Sequence, residues 1–232
     1  MTGKAVGVIG GMGPAATTAF IERLQALTPA KADQDHLRLF IDCNPHVFDR
    51  NAALAGTGPS PGPVLASMAQ GLERSGAELL AMPCNAAHAW AGEIRAATRL
   101  PLVDLIDAAA DDALSASKGP VGVLAADACL SAGLYQRALG ARGADHRLLG
   151  EDDQRRFMDL LYAIKAGRLE EARGPMRGLA ERLIEAGAGA ILAGCTEVPL
   201  VLGPDDLPVP FVDSLEALAR RTLAEALATV DA

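Results

Sequence analysis

The sequence predicts an α/β protein made of two similar halves, each a parallel sheet flanked by helices. Three observations lead there. Short aliphatic runs alternate along the chain with longer segments of helical periodicity, the pattern of buried parallel strands joined by helices. Several motifs recur in the same order at a nearly constant offset. The length, 232 residues, suits one large domain or two small ones at about 150 residues per domain.

The elements can be taken in order. Strands are expected at 5–10, 37–42, 78–82, 102–105, 121–125, 146–149, 190–193 and 211–212, several bounded by Gly or Pro. Pro14 stands at the favoured first position of a helix whose face carries Phe20, Leu24 and Leu27. Residues 51–63, with Gly58-Pro59, Pro61-Gly62 and Pro63, are expected to form a loop. Val64, Met68 and Leu72 recur every four residues before Gly76 closes their helix. Phe157, Leu160, Leu161 and Ile164 mark another helix. Asp104 and Asp213 are read as structural strand ends.

The repeat has three parts. Val6-Gly7-Val8-Ile9 returns as Val121-Gly122-Val123-Leu124, an offset of 115. The stretch from Gly76 to Cys84 returns from Gly187 to Cys195, an offset of 111. Pro101, Val103 and Asp104 return as Pro210, Val212 and Asp213, an offset of 109. Together they indicate two related halves with a break near residue 115.

Composition excludes several functions. Half the residues are hydrophobic, 46 of them alanine, and 22% are charged, enough for a sizeable core. Aromatics make up only 3%, too few for stacking platforms on single-stranded nucleic acid. The net charge of −8 argues against a phosphate-backbone partner. No apolar run reaches the ~18 residues of a membrane span. The first twenty residues make a poor signal peptide, with one Lys and a glycine turn with Pro14 where the apolar segment should lie. A soluble cytoplasmic protein is expected. Cys43, Cys84, Cys129 and Cys195 are widely spaced along the chain. Without a CxxC pair no zinc or other metal site is expected, and the cysteines read as free thiols.

The repeat makes Cys84 and Cys195 equivalent. Each is expected to end a strand and precede a turn, Asn85-Ala86-Ala87-His88 in one case and Thr196-Glu197 in the other. Ligands of open α/β sheets bind beyond the carboxyl ends of strands. Two such sheets facing one another would put a thiol on each side of a shared cleft, and the N–H groups after each Cys could hold a carboxylate. Two opposed thiols suit racemisation or epimerisation, with one removing a proton from a carbon next to a carboxylate and the other returning a proton to the opposite face. No cofactor is required if N–H donors stabilise the enolate-like charge.

The chain resembles the aspartate/glutamate racemase superfamily, nearest its aspartate racemase branch. The matching residues are Gly10-Gly11-Met12-Gly13-Pro14 with Ala16-Thr17, Asn44-Pro45 with Asp49-Arg50, Cys84-Asn85 with Ala87-His88, Gly133-Leu134-Tyr135-Gln136, and Gly194-Cys195-Thr196-Glu197. The resemblance implies two pseudo-symmetric α/β domains, each with a mainly four-stranded parallel sheet and with the active site in the cleft between them. It places the first domain at 1–98 plus 208–232 and the second at 99–207. It also implies a cofactor-independent racemase of a small acidic amino acid, aspartate or glutamate, with Cys84 and Cys195 as the two bases, acting as a homodimer.

Substrate-holding residues carry over one by one. Met12 would sit at the cleft mouth. Asn85 and Thr196 would bind the α-carboxylate or ammonium group, aided by the Ala86 N–H. Arg50 and Lys165 would hold the side-chain carboxylate, a task that suits an Arg fork. His88 could tune Cys84 or contact substrate, or equally be a helix-surface or capping histidine. Glu197 could orient Cys195, or be an ordinary helix-start carboxylate. The chain departs from the family pattern at Ala86, where Thr is expected, and at Ala126 and Ala128-Cys129. Two hydroxyls expected near the substrate are missing, each worth about 1–3 kcal/mol where a polar partner is left unmatched.

Besides a non-catalytic relative, which the missing threonines leave open, two alternatives stand beside this reading. One is another activity of the same scaffold, such as a hydantoin racemase-like enzyme, a decarboxylase or a maleate isomerase. The other is a Rossmann-type nucleotide-binding protein, since Gly11-Met12-Gly13-Pro14-Ala15-Ala16 follows a strand. In that case Asp42 would lie farther past Gly13 than the usual ~20 residues, Pro14 would remove a useful N–H, and the twin cysteines would go unexplained.

Overall fold

The structure is a computed structural model and describes residues 3–228, so Met1, Thr2 and 229–232, at the ends of the expected first domain, lie outside it. The chain forms two units, one holding residues up to Leu105 and from Leu215 onward, the other Ile106–Ser214. In chain order the elements are β1 (Val6–Gly10), α1 (Pro14–Leu27), β2 (Leu39–Cys43), α2 (Arg50–Leu54), α3 (Gly62–Ser75), β3 (Leu79–Ala81), α4 (Ala91–Ala97), α5 (Leu105–Ala116), β4 (Val121–Ala125), α6 (Asp127–Ser131), α7 (Leu134–Gly140), β5 (His146–Arg147), α8 (Glu151–Lys165), α9 (Leu169–Glu185), β6 (Ala190–Gly194), β7 (Phe211–Asp213) and α10 (Ser214–Leu227). Among the described residues no helix is long and apolar enough to cross a membrane.

The first unit has a three-stranded sheet in the order β2-β1-β3, and the second a four-stranded sheet in the order β5-β4-β6-β7. All pairings are parallel. β1 and β4 are wholly buried, as strands with helices on both faces must be. Phe20 and Leu24 of α1 are buried, and so are Leu65, Met68, Ala69 and Leu72 of α3. The α3 stripe therefore runs through Leu65, and Val64 is only half-buried. On α8, Phe157, Leu161 and Ile164 are buried against the apolar face of α9.

Three expectations change. The stretch 102–105 makes only a single bridge, Leu102 to Leu80, in place of a fourth strand. The ladder stops because the Leu105 N–H donates to His88 Nε2 (3.2 Å) and Leu105 opens α5. The expected loop at 51–63 is helical at both ends. Asp49 caps α2 by accepting the Ala52 N–H (2.7 Å), and Gly62 and Pro63 begin α3. The expected strand at 146–149 pairs only at His146 and Arg147.

The internal repeat is a repeat of register. Val6 pairs with Leu79, and Val121 with Ala190. The Leu80 N–H donates to the Pro101 carbonyl (2.8 Å), and the Ile191 N–H to the Pro210 carbonyl (2.9 Å). A side chain at Gly7 would strike Leu72, Ala77 and Leu80; one at Gly122 would strike Leu183, Ala188 and Ile191. Each member of the first triplet is separated from its counterpart in the second by the same offset that separates Cys84 from Cys195. The repeated motifs thus place the same contacts in both units. Gly7→Val and Gly122→Val should each overpack this contact and cost about 1–3 kcal/mol. Urea unfolding curves are the check, and unchanged midpoints would contradict the shared packing.

Candidate active site

In the first unit the site is built around the turn after β1. The Gly11 N–H donates to Thr17 Oγ1 (2.9 Å), and the Thr17 hydroxyl donates to the Gly13 carbonyl (3.2 Å). Gly11 has φ +94°, and a Cβ there would lie 2.4 Å from the Asn44 backbone, so only glycine fits. This turn tucks Met12 into the same apolar cluster as Val47, Met68 and Cys84. Cys84 is buried and stands past the end of β3, after Met82 and Pro83. Buried Asn85 leads into a short 3₁₀ turn, Ala86–Trp90, in which Ala86 is half-buried.

His88 fixes this segment. Its Nε2 accepts the Leu105 N–H, so the proton of the neutral ring is on Nδ1, which donates to the Cys84 carbonyl (2.9 Å). Burial pushes its pKa below the ordinary value, against the opposing pull of Asp104. His88 is buried and so is not the helix-surface histidine the sequence allowed; it clamps backbone groups, a role outside those read from the sequence. Both ring nitrogens are engaged with backbone atoms, leaving none for the Cys84 thiol. Asp104 is bonded to Arg95 (2.8 Å). Arg50, the first residue of α2, donates from Nη1 to the carbonyls of Val47 (3.2 Å) and Phe48 (2.9 Å). That side of the guanidinium holds its own loop in place.

The second unit presents a different chemistry. Cys195 follows β6 directly, and Tyr135 of α7 fills the space a side chain at Gly194 would need. The Gly133–Gln136 motif thereby supports the cysteine turn. Cys195, Thr196 and Glu197 are all buried. Cys195 Sγ donates to Glu197 Oε2 (2.9 Å), and the Thr196 hydroxyl reaches the same oxygen (3.3 Å). Lys165, the last residue of α8, lies 3.9 Å from Glu197 Oε1. Burial first, then the Glu197 charge, push the Cys195 thiol well above its ordinary range, while Lys165 pulls it down.

The structure therefore gathers Met12, Cys84, Asn85, Ala86 and His88 in one unit, and Cys195, Thr196, Glu197 and Lys165 in the other. Lys165 is drawn to a carboxylate of the protein itself. Of the two readings of Glu197 in the sequence, the hydrogen bond from Cys195 accords with the orienting one. Among the described residues no group of three or more His, Cys, Asp or Glu is placed to hold a metal ion.

The sequence profile of the Asp/Glu/Hydantoin racemase family matches residues 9–222. The chain belongs to this family. It is an isomerase of the racemase type, with the α/β fold of its relatives. A broad-specificity amino-acid racemase of Bacillus subtilis is 27% identical over 229 residues, covering 96% of this chain and 98% of the relative. The aspartate racemase of Picrophilus torridus superposes with a TM-score of 0.85 at 31% identity, covering 96% of this chain and 94% of the other. An aspartate racemase homologue from Pyrococcus horikoshii has the same fold, with a TM-score of 0.77 at 24% identity over 96% of this chain and 98% of the other.

The His88 clamp gives a prediction about stability. A histidine whose folded pKa lies below the ordinary 6.5 keeps its full stabilisation above that pH and loses it as pH falls and the unfolded chain takes up the proton. Stability should decline with acidity below about pH 6.5, and His88→Gln should flatten that part of the profile while lowering stability near neutrality. Denaturant midpoints between pH 5 and 8 test this, and an unchanged slope in the variant would contradict it.

Proposed function

We propose that the protein racemises a small amino acid, aspartate or glutamate by preference, without a cofactor, through Cys84 and Cys195. The observation that carries this reading is the placement of the two cysteines. Each follows the strand that pairs in the same register with the central strand of its unit, and each is buried with a polar residue after it. In this reading one thiolate takes the Cα proton of one enantiomer. The C–H bond breaks, an S–H bond forms, and the electron pair is delocalised into the substrate carboxylate. The other thiol gives its proton to the opposite face of the same carbon, and the roles exchange for the mirror substrate. Asn85, Thr196 and the Ala86 N–H serve the α-carboxylate and ammonium group, and Met12 closes the apolar side.

Arg50 is the candidate for a side-chain carboxylate, through the donors its own loop does not use. The missing hydroxyls at Ala86 and Ala126 weaken the case for one acidic substrate. The relative in Bacillus subtilis, named for broad specificity, makes a wide amino-acid panel the appropriate screen. The same reading takes the working form as a cytoplasmic homodimer, for which sedimentation near twice the 23.9 kDa chain mass is expected.

Single enantiomers incubated in D2O should yield the opposite enantiomer with deuterium at Cα. No exchange with any acidic amino acid would remove the aspartate–glutamate version. Cys84→Ala and Cys195→Ala should each abolish racemisation, and wild-type turnover in either would refute the two-base assignment. Arg50→Ala should raise KM for acidic substrates at least about ten-fold, as expected for a lost charged hydrogen bond, and should spare neutral ones. Equal losses would make Arg50 structural.

A further inference from the structure

We infer that two copies of this chain pair through the outer edge of β2, antiparallel about a two-fold axis at Phe40. The inference deepens the homodimer reading and rests on it for the existence of a dimer. β2 is an end strand of the three-stranded sheet and is paired only with β1. The Val6 N–H donates to the Arg38 carbonyl (2.9 Å), and the Asn44 N–H to the Gly10 carbonyl (3.3 Å). Even-numbered residues of this stretch therefore turn their backbone groups to β1, while Leu39, Ile41 and Cys43 turn theirs outward. Among the described residues nothing is bonded to those outward groups. β2 is five residues long and none of them is buried, whereas β1, β4 and β6 are wholly buried. Ile41 is 46% exposed. The corresponding end strand of the second sheet, β5, is cut to two residues. Shortening of that kind protects a sheet edge, and β2 lacks it.

The strand itself indicates what covers it. Arg38-Leu39-Phe40-Ile41-Asp42 carries opposite charges at equal distances from Phe40, with an aliphatic residue on either side of the ring. In an antiparallel ladder, residues with outward backbone groups must meet one another. With the axis at Phe40, Leu39 meets the partner's Ile41 in a hydrogen-bonded pair, and the contact occurs twice. Phe40 meets the partner's Phe40. Arg38 meets the partner's Asp42, again twice, with Cβ atoms roughly 4.5–5.5 Å apart. An axis at Ile41 would set Phe40 against the partner's Asp42, so charge selects the axis at Phe40. Both charged groups are at hand for this pairing. The Arg38 guanidinium lies over the Phe40 ring (4.6 Å) and makes no ion pair among the described residues. Nothing among them is bonded to the Asp42 carboxylate. Arg38, Phe40 and Asp42 share the face toward α3, where the Phe40 ring lies against the Gly76 turn. Leu39 and Ile41 share the other face. Two three-stranded sheets would become one of six strands, and a patch that fits itself closes as a dimer and forms no filament.

Sedimentation equilibrium of the full chain over a wide concentration range gives the dimer dissociation constant. Arg38→Asp and Asp42→Arg each set two pairs of like charges across the axis and should raise that constant about ten-fold. The two changes combined restore opposite charges in reversed order and should recover most of the affinity. Neither residue is buried, so the fold should survive, which urea midpoints check. Ile41→Pro removes an N–H that β1 does not use and should leave a monomer. A dimer unmoved by the charge changes, or a double variant weaker than either single one, would overturn the proposal while leaving the homodimer reading intact. An unaltered chain that sediments as a monomer at every concentration would overturn both.

Discussion

The close approach of a helix to each central strand is the constraint on which the rest of the structure depends. Gly7 lets Leu72, Ala77 and Leu80 press onto β1, and Gly122 lets Leu183, Ala188 and Ile191 press onto β4. Helix, turn and next strand are thereby locked to the central strand at one height. From Ala77 to Cys84 and from Ala188 to Cys195 the chain runs the same distance. Fixing the docking point therefore fixes where each thiol emerges. Close packing turns a missing side chain into a ruler.

Identical placement does not bring identical surroundings. The first cysteine is followed by a 3₁₀ turn whose histidine is spent on backbone groups, and the thiol itself lies among Met12, Val47 and Met68. The second is followed by a glutamate that accepts its hydrogen bond and that lies 3.9 Å from Lys165. A repeated scaffold here carries two thiols in different polar surroundings.

Much of this was legible in the sequence. The nearly constant offset between repeated motifs revealed the equivalence of Cys84 and Cys195, and the aliphatic runs marked the strands because buried parallel strands have few alternatives to Val, Ile, Leu and Ala. What was not legible depended on partners distant in sequence. The stretch 102–105 has strand composition, yet Leu105 is taken from the sheet by the ring of His88, which belongs to the preceding turn. Residues 51–54 look like part of a glycine–proline loop, yet the Asp49 carboxylate nucleates a helical turn there. Lys165 matched a family position, but the carboxylate it approaches, Glu197, belongs to a turn beyond the next helix and strand.

The His88 clamp joins two places that the covalent chain keeps apart. Leu105 is the residue at which the chain leaves the first unit, and its amide is hydrogen-bonded to the ring that also holds the Cys84 carbonyl. A single imidazole ring therefore ties the point where the chain leaves this unit to the backbone of the residue that carries the thiol.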